Sequence, residues 1–141
     1  MPRRSILLAL LALLALLAVA ACDSGEARED PGAYTVSASQ AVEMIESGER
    51  TIIDVRTPDE FDLAHVVGAL NISVEAPDFA DRIAELDTDA PYVVYCRTGN
   101  RSATAAALMA EAGIADIADA GGLADLARAG APVESTSAPA G

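Results

Sequence analysis

Apolar residues recur at two different spacings along the chain, and the change of spacing separates strands from helices. Two β-branched and aromatic runs, at 51–55 and 92–95, have the composition of strands buried inside a sheet. Shorter extended segments are predicted at 34–36, 69–72 and 114–118. Helical spacing predicts a short helix from Thr57 and longer ones at 37–47, 79–86, 103–112 and 123–129.

Residues with strong positional preferences mark where several of these elements begin and end. Ser37 and Gln40 have the spacing of a capping box, and Pro58 suits an early position in a helix. Gly113 is expected to end the helix that begins at 103, and Gly121-Gly122 separates the last strand from the last helix. Because strands alternate with helices, we expect an α/β fold with a central parallel sheet and helices on both faces.

The N-terminal segment has the pattern of an export signal. Arg3 and Arg4 precede an unbroken apolar run of 16 residues, Ile6 to Ala21, which is short for a membrane span of about 20 residues. The run ends in Val19-Ala20-Ala21-Cys22, which resembles the lipobox of bacterial lipoproteins. That resemblance implies cleavage before Cys22 and lipidation of its sulfur. An ordinary secretory signal or an uncleaved anchor is the alternative.

These features divide the chain into four parts. We expect a lipoprotein signal peptide at 1–21, a tether at 22–33, a folded domain at 34–133 and a disordered tail at 134–141, with the loss of regular pattern already visible from Ala131. The protein is then expected at the bacterial cell membrane, lipid-anchored and facing the periplasm or the exterior. If Cys22 is lipidated, Cys96 is the one free thiol of the chain, and an intramolecular disulfide is excluded.

Charge excludes several kinds of partner. The chain has 22 acidic residues against 9 basic ones, all arginine, and a formal net charge of −13. This balance argues against nucleic acid and against docking on anionic lipid. Any site for a small anion must therefore be a local cluster of hydrogen-bond donors.

Such a cluster is predicted where the apolar run at 92–95 ends. The segment from Cys96 to Ser102 lies between a strand and a helix, so its amides and the positive helix end should surround the Cys96 sulfur. With Arg97 and Arg101 nearby, these donors should lower the thiol pKa from its usual value near 8.5. We interpret Cys96 as a nucleophile; a cysteine that only packs in the core is the alternative.

A second polar segment follows the other strong strand. In parallel sheets, ligands bind beyond the carboxyl ends of strands, which places Asp54 and Arg56 in the same crevice as Cys96. Arg56 then faces either the anion or the loop; alternatively, Asp54 and Arg56 form a structural ion pair. His65 is the single histidine, and one histidine is too few for a zinc site, so no metal or cofactor is expected.

Several motifs together resemble a single-domain rhodanese. They are the loop C-R-T-G-N-R-S at 96–102, D-V-R-T-P-D-E-F at 54–61, His65 with Gly68-Ala69 and Asn71-Ile72, and Gly121-Gly122. The resemblance implies the rhodanese fold and a thiosulfate sulfurtransferase activity. A small anionic donor such as thiosulfate passes a sulfane sulfur to Cys96, and the resulting persulfide passes it to a thiol or to cyanide.

By the same resemblance, Cys96 carries the sulfur and the loop residues cradle it. The cradle is expected to comprise Arg97, Thr98, Gly99, Asn100, Arg101 and Ser102. Arg101 should also brace the loop, while Asp54, Arg56 and Glu60 should support it. The chain departs from the family at Ala64, usually glycine, at Val67, usually proline, and after Gly121-Gly122, where the customary tryptophan is absent. We expect His65 to be structural, because an ionised thiolate needs no base.

Two other functions compete with sulfur transfer. Cell-cycle phosphatases and arsenate reductases of this fold also use a cysteine cradle, but phosphatase loops of that type have one residue more between cysteine and arginine than the four found here. The shorter loop favours one projecting sulfur over a tetrahedral phosphoryl group. A non-enzymatic persulfide carrier or partner-binding module needs the same loop as an enzyme, so it stays open.

Overall fold

A computed structural model describes residues 32–136 of the chain. The predicted signal peptide, Cys22, all but the last two residues of the predicted tether, and residues 137–141 lie outside the described part. Seven strands are present in it: β1 Gly32–Thr35, β2 Thr51–Asp54, β3 His65–Val66, β4 Leu70–Asn71, β5 Pro91–Cys96, β6 Asp116–Gly122 and β7 Val133–Glu134. Five helices accompany them: α1 Ala38–Ser47, α2 Pro58–Leu63, α3 Phe79–Ala84, α4 Asn100–Glu111 and α5 Leu123–Ala129.

Five strands form a parallel sheet in the order β1-β6-β5-β2-β4. Strands β3 and β7 pair separately as a short antiparallel ribbon. The prediction of an α/β fold around a central parallel sheet is confirmed. The two strands with the strongest apolar pattern, β2 and β5, are neighbours in the middle of the sheet, so Asp54 and Cys96 end adjacent strands.

Alternate residues of β5 enter separate hydrophobic cores on the two faces of the sheet. Tyr92, Val94 and Cys96 pack in the core that contains residues of α3 and α4. Val93 and Tyr95 pack in the other, with residues of α1 and α5. This period of two directs the Cys96 side chain toward the helix that follows its own loop.

The helix ends follow the predicted caps. Ser37 and Gln40 form a reciprocal capping box at the start of α1, and Gly48 ends that helix with a left-handed φ of 70°. Thr57 and Glu60 form a second capping box at the start of α2, with Pro58 in its first turn.

The structure corrects several boundaries. The folded part begins at Gly32, two residues earlier than predicted, because β1 pairs with β6 from that residue. Helix α4 begins at Asn100 rather than Ala103, and β6 continues to Gly122 instead of ending near residue 118. Pairing of Gly122 with Cys96 of β5 extends β6 beyond its apolar pattern.

The predicted tail is also partly structured. Residues of β7 pair with β3, and the Thr136 amide donates a hydrogen bond to the Asp62 carbonyl oxygen at 3.0 Å. Two-residue strands have no measurable period, so composition alone suggested a tail from residue 131. Within residues 32–136, no helix combines the length and the hydropathy needed to cross a membrane.

Candidate active site

Cys96 is the last residue of β5, and the loop after it turns at once into α4. Gly99 precedes the helix with φ at 105°, a left-handed conformation that a residue with a Cβ rarely adopts. The turn brings the first amides of α4 back over the sulfur. Cys96 is 1 % exposed, so the sulfur lies at the base of the loop rather than at its rim.

Hydrogen bonds from the loop converge on the sulfur. The Gly99 N–H donates to Cys96 Sγ at 2.9 Å, and Ser102 Oγ lies 3.6 Å from the same sulfur. The Ser102 hydroxyl also contacts the Gly99 carbonyl oxygen at 3.0 Å, which ties the first turn of α4 to the loop. Of the donors predicted from the sequence, the backbone N–H groups of the loop and of the first helical turn are the ones that contact the sulfur.

The thiol pKa follows from two opposing effects. Burial raises the pKa of Cys96, but the Ser102 side chain and the backbone N–H groups of Ser102, Gly99 and Thr98 together lower it below its ordinary value. These donors favour the thiolate, the nucleophilic form of cysteine.

Gly122 allows the loop to lie close to the end of β6. A Cβ at this position would lie 2.6 Å from the Arg97 carbonyl oxygen and 3.3 Å from the Thr98 Cα. Contacts under 3.0 Å would force the loop backbone to move, so glycine keeps the loop tight. The sequence marked Gly121-Gly122 only as a break between elements and as part of a family motif.

Arg101 fastens the loop to two other segments. Its guanidinium binds both carboxylate oxygens of Glu60, at 2.7 and 2.8 Å, and one oxygen of Glu75 at 3.0 Å. The bracing role predicted for Arg101 agrees with this geometry. Its charge is matched by two carboxylates, so the idea that Arg101 supplies free positive charge to the sulfur does not fit the structure. No sequence pattern pointed to Glu75.

The same contact perturbs Glu60. Hydrogen bonds from Arg101, aided by the Thr57 backbone and side chain, lower the pKa of Glu60 to about 2 despite burial, which raises it. Glu60 therefore stays ionised at every physiological pH, and so its ion pair with Arg101 is kept.

We expect Glu60→Gln to destabilise the fold by about 1–3 kcal/mol at pH 7, since it removes the charge from a two-bond contact. The folded pKa is depressed, so the contribution of Glu60 is complete above about pH 4.5 and is lost as pH falls toward about 2. Urea unfolding of the original protein and of Glu60→Gln between pH 7 and pH 3 measures the difference in their free energies of unfolding. A difference in free energy that grew on acidification would contradict the assignment; Asp59→Asn, on the same helix, is the control.

Asp54 and Arg56 form a buried ion pair. The Arg56 Nη2 lies 2.6 Å from Asp54 Oδ2, and the Arg56 backbone N–H donates to Asp54 Oδ1 at 2.9 Å. Asp54 is 0 % exposed and Arg56 5 % exposed. The guanidinium also donates to the Ala64 carbonyl oxygen and lies 5.9 Å from the centre of the Tyr95 ring. Of the two alternatives, the structural ion pair is the one observed.

Asn71 completes this support. Its side-chain amide donates to the carbonyl oxygens of Asp54 and Arg56, at 3.1 and 2.9 Å, and so holds the chain where it leaves β2. Sequence reasoning placed Asn71 in the family motif but gave it no role. Its contacts show that a side chain of β4 helps to fix the end of β2.

The other predicted residues of the loop are Arg97, Thr98 and Asn100. All three are exposed. Thr98 lines a cavity of about 510 Å³ beside α5, and Arg97 lines a second one of about 520 Å³. Cys22 lies outside the described residues. Within residues 32–136, no group of three or more potential ligand side chains could hold a metal ion.

His65 is buried in β3 and contacts neighbouring side chains and backbone. Its Nδ1 lies 2.8 Å from the Phe61 carbonyl oxygen, an atom that can only accept a hydrogen bond. The His65 ring also stacks on the Phe61 ring, with centroids 3.8 Å apart. Its Nε2 lies 3.4 Å from a Glu134 carboxylate oxygen. These contacts agree with the structural role that we predicted for it.

Comparisons with known proteins give a consistent result. A family model described as a rhodanese-like domain matches residues 37–127. The thiosulfate sulfurtransferase GlpE of Pseudomonas aeruginosa is 37% identical over 82 residues, which cover 58% of this chain and 72% of GlpE. The probable adenylyltransferase/sulfurtransferase MoeZ of Mycobacterium tuberculosis is 36% identical over 83 residues, covering 58% of this chain but only 21% of MoeZ.

A solved structure resembles the fold directly. The solution NMR structure of the rhodanese-like domain of the Anabaena protein Alr3790 superposes with a TM-score of 0.65 at 28% identity. The match covers 76% of this chain and 85% of that domain.

Proposed function

We propose a function from one premise: this chain belongs to the rhodanese-like domain family. Curated relatives that match it are named as sulfurtransferases, and this supports sulfur transfer as the class of reaction. Within that class, we propose that Cys96 takes a sulfane sulfur from a thiosulfate-type donor and passes it to a thiol or to cyanide.

The observation that carries the proposal is the ring of backbone N–H donors around Cys96 Sγ, with the Gly99 N–H at 2.9 Å and the N–H groups of Thr98 and Ser102 beside it. This ring favours a thiolate, and it equally favours the negative charge of a persulfide. In the first step the thiolate attacks the terminal sulfur of thiosulfate. The new S–S bond forms on Cys96, the old S–S bond breaks, and sulfite leaves with its electron pair.

The second step returns the enzyme to its starting state. Cyanide or a thiolate attacks the outer sulfur of the persulfide, and the Cys96 thiolate leaves. Neither step requires a general base, because both nucleophiles react as anions. This agrees with the position of His65, which contacts Phe61 and Glu134.

Burial of the sulfur favours sulfur transfer over phosphate chemistry. Cys96 is 1 % exposed, so the donor atom that its thiolate attacks has to come close to a buried sulfur. The terminal sulfur of thiosulfate projects as a single atom, whereas phosphorus is enclosed by four oxygens. The loop is also held short, with four residues between Cys96 and Arg101 and with Gly122 packed against it.

Intact-mass measurement tests this function. We expect the purified Cys22→Ala chain, incubated with thiosulfate, to gain the mass of one sulfur atom, which cyanide then removes as thiocyanate. No added mass, together with hydrolysis of an aryl phosphate, would replace this proposal with the phosphatase alternative. Loading without turnover by any thiol or by cyanide would favour a persulfide carrier.

We also propose that the protein is anchored by lipid on Cys22 at the outer side of a bacterial cytoplasmic membrane. The support is the run of small residues before Cys22 at the end of the apolar segment. Two or more acyl chains make such anchoring stable. We expect Cys22→Ala to remain unprocessed or to leave the membrane fraction on cell fractionation; a processed, membrane-bound variant would refute the anchor.

A further inference from the structure

Glu75 lies on the solvent side of the contact that fastens the reactive loop. Arg101 Nη1 donates to Glu60 Oε2 at 2.7 Å and to Glu75 Oε2 at 3.0 Å, so the two carboxylates share one nitrogen. The Glu75 side chain is 56 % exposed, against 25 % for Glu60 and 27 % for Arg101. Of the two carboxylates, Glu75 is therefore the one that faces solvent.

The two carboxylates also differ in how firmly they are held. Glu60 binds Arg101 with both of its oxygens and accepts further hydrogen bonds from the Thr57 N–H and hydroxyl groups. Within residues 32–136, the Glu75 carboxylate makes a single hydrogen bond, the one from Arg101. Glu60 thus braces the loop with two bonds of its own, and Glu75 adds a second carboxylate to a guanidinium that is already matched.

The segment that carries Glu75 lies on the same face of the sheet as the Cys96 side chain. Val74, its chain neighbour, packs against the hydrophobic core that contains Cys96. On the side of the loop, Arg101 directly precedes Ser102, whose Oγ lies 3.6 Å from Cys96 Sγ. The surplus carboxylate is therefore on the sulfur's side of the sheet, bound to the chain neighbour of a residue that contacts the sulfur.

We propose that Glu75 is a specificity-determining residue that disfavours sulfur donors increasingly with their negative charge. A donor reacts only when its terminal sulfur comes close to Cys96, which brings its charge near a guanidinium that two carboxylates already match. The repulsion grows with each unit of donor charge. Among donors of equal reactivity, monoanions are then preferred to dianions. This inference rests on the proposed sulfurtransferase function and specifies the charge of its substrate.

Two donors that differ by one charge test this inference. Thiosulfate is a dianion and methanethiosulfonate is a monoanion, and the Cys96 thiolate attacks the terminal sulfur of either to form the persulfide bond. The bond between that sulfur and its neighbouring sulfur breaks, and sulfite or methanesulfinate leaves with the electron pair. We measure the second-order rate of sulfur loading by intact mass, using the full Cys22→Ala chain in phosphatidylcholine vesicles at low ionic strength.

Glu75→Gln removes the charge and keeps an oxygen that can accept from Arg101. At a separation of about 7 Å in water, one unit charge changes the local concentration of a monoanion about threefold and that of a dianion about sevenfold. We therefore expect methanethiosulfonate to load about threefold faster and thiosulfate about sevenfold faster. The ratio of the thiosulfate rate to the methanethiosulfonate rate should rise about twofold to threefold. About 1 M KCl should abolish this rise, because it shortens the Debye length to about 3 Å.

The ratio of rates separates charge selection from a purely structural role. A change in the ionisation of Cys96, or in the order of the loop, alters both rates by the same factor and leaves their ratio unchanged. The matched control is Glu43→Gln, which removes the same charge from an exposed position of α1. Residues of α1 pack in the core on the other face of the sheet, so this variant should keep the original ratio.

Two failures would be distinguishable. An unchanged or lower ratio in Glu75→Gln, or an equal rise in Glu43→Gln, would overturn the role of Glu75 while leaving sulfur transfer in place. Absence of loading with both donors in the Cys22→Ala chain would remove the proposed function as well.

Discussion

Replacement of Cys96 by serine is expected to lower the rate of sulfur transfer by about a thousandfold or more. The hydroxyl cannot hold a sulfane sulfur as a persulfide, and it stays protonated where the thiol ionises. The fold should survive, because serine is close to cysteine in size and Gly99 N–H and Ser102 can hydrogen-bond to its oxygen. The measurement is thiocyanate formation from thiosulfate and cyanide, with urea unfolding to confirm the fold.

The matched control is the other cysteine. Cys22→Ala should keep full transfer activity, since Cys22 lies outside the residues that form the loop. Transfer by the Cys96→Ser chain at more than a tenth of the original rate would show that another group carries the sulfur.

Asp54→Asn is expected to destabilise the fold by about 3–5 kcal/mol, the largest stability effect predicted here. The substitution keeps the shape of the side chain and removes its charge. The Arg56 guanidinium, 5 % exposed, would then lie buried without its counter-charge and could not reach water without breaking its contact with the Ala64 carbonyl oxygen.

Equilibrium unfolding in urea measures this loss. Asp59→Asn, at an exposed position of α2, is the control and should change the free energy of unfolding by less than about 0.5 kcal/mol. A change below about 1 kcal/mol for Asp54→Asn would mean that the ion pair contributes little to holding the end of β2.

Elements with a strong local signal could be predicted from the sequence. The runs that form β2 and β5 are apolar throughout, and burial on both faces of a sheet requires that composition. The capping residues Ser37 and Thr57 act within one turn of their helices, so their effect is local as well. Strand β7 and the last residues of β6 depend on distant partners, and no short pattern identifies them.

The difference between local signals and contacts with distant residues also decides which parts of the site could be predicted. The loop around Cys96 is one continuous segment, so its donors could be predicted from a strand, a glycine and a helix start. The orientation of Arg56 could not, because its guanidinium contacts both Asp54 and the Ala64 carbonyl oxygen, and no sequence pattern marks the second contact. The contact of Glu75 with Arg101 joins segments 26 residues apart.

The central claim is that the loop favours the thiolate and lowers the pKa of Cys96 below that of free cysteine, and the ultraviolet absorbance of the thiolate tests it most directly. This absorbance requires no reagent to reach a sulfur that is 1 % exposed. The difference between the Cys22→Ala chain and the same chain carrying Cys96→Ser isolates one thiol. The three tyrosines do not interfere, because burial raises the pKa of Tyr34, Tyr92 and Tyr95. We predict a midpoint clearly below the value of about 8.5 for free cysteine; a midpoint at or above that value would contradict the account.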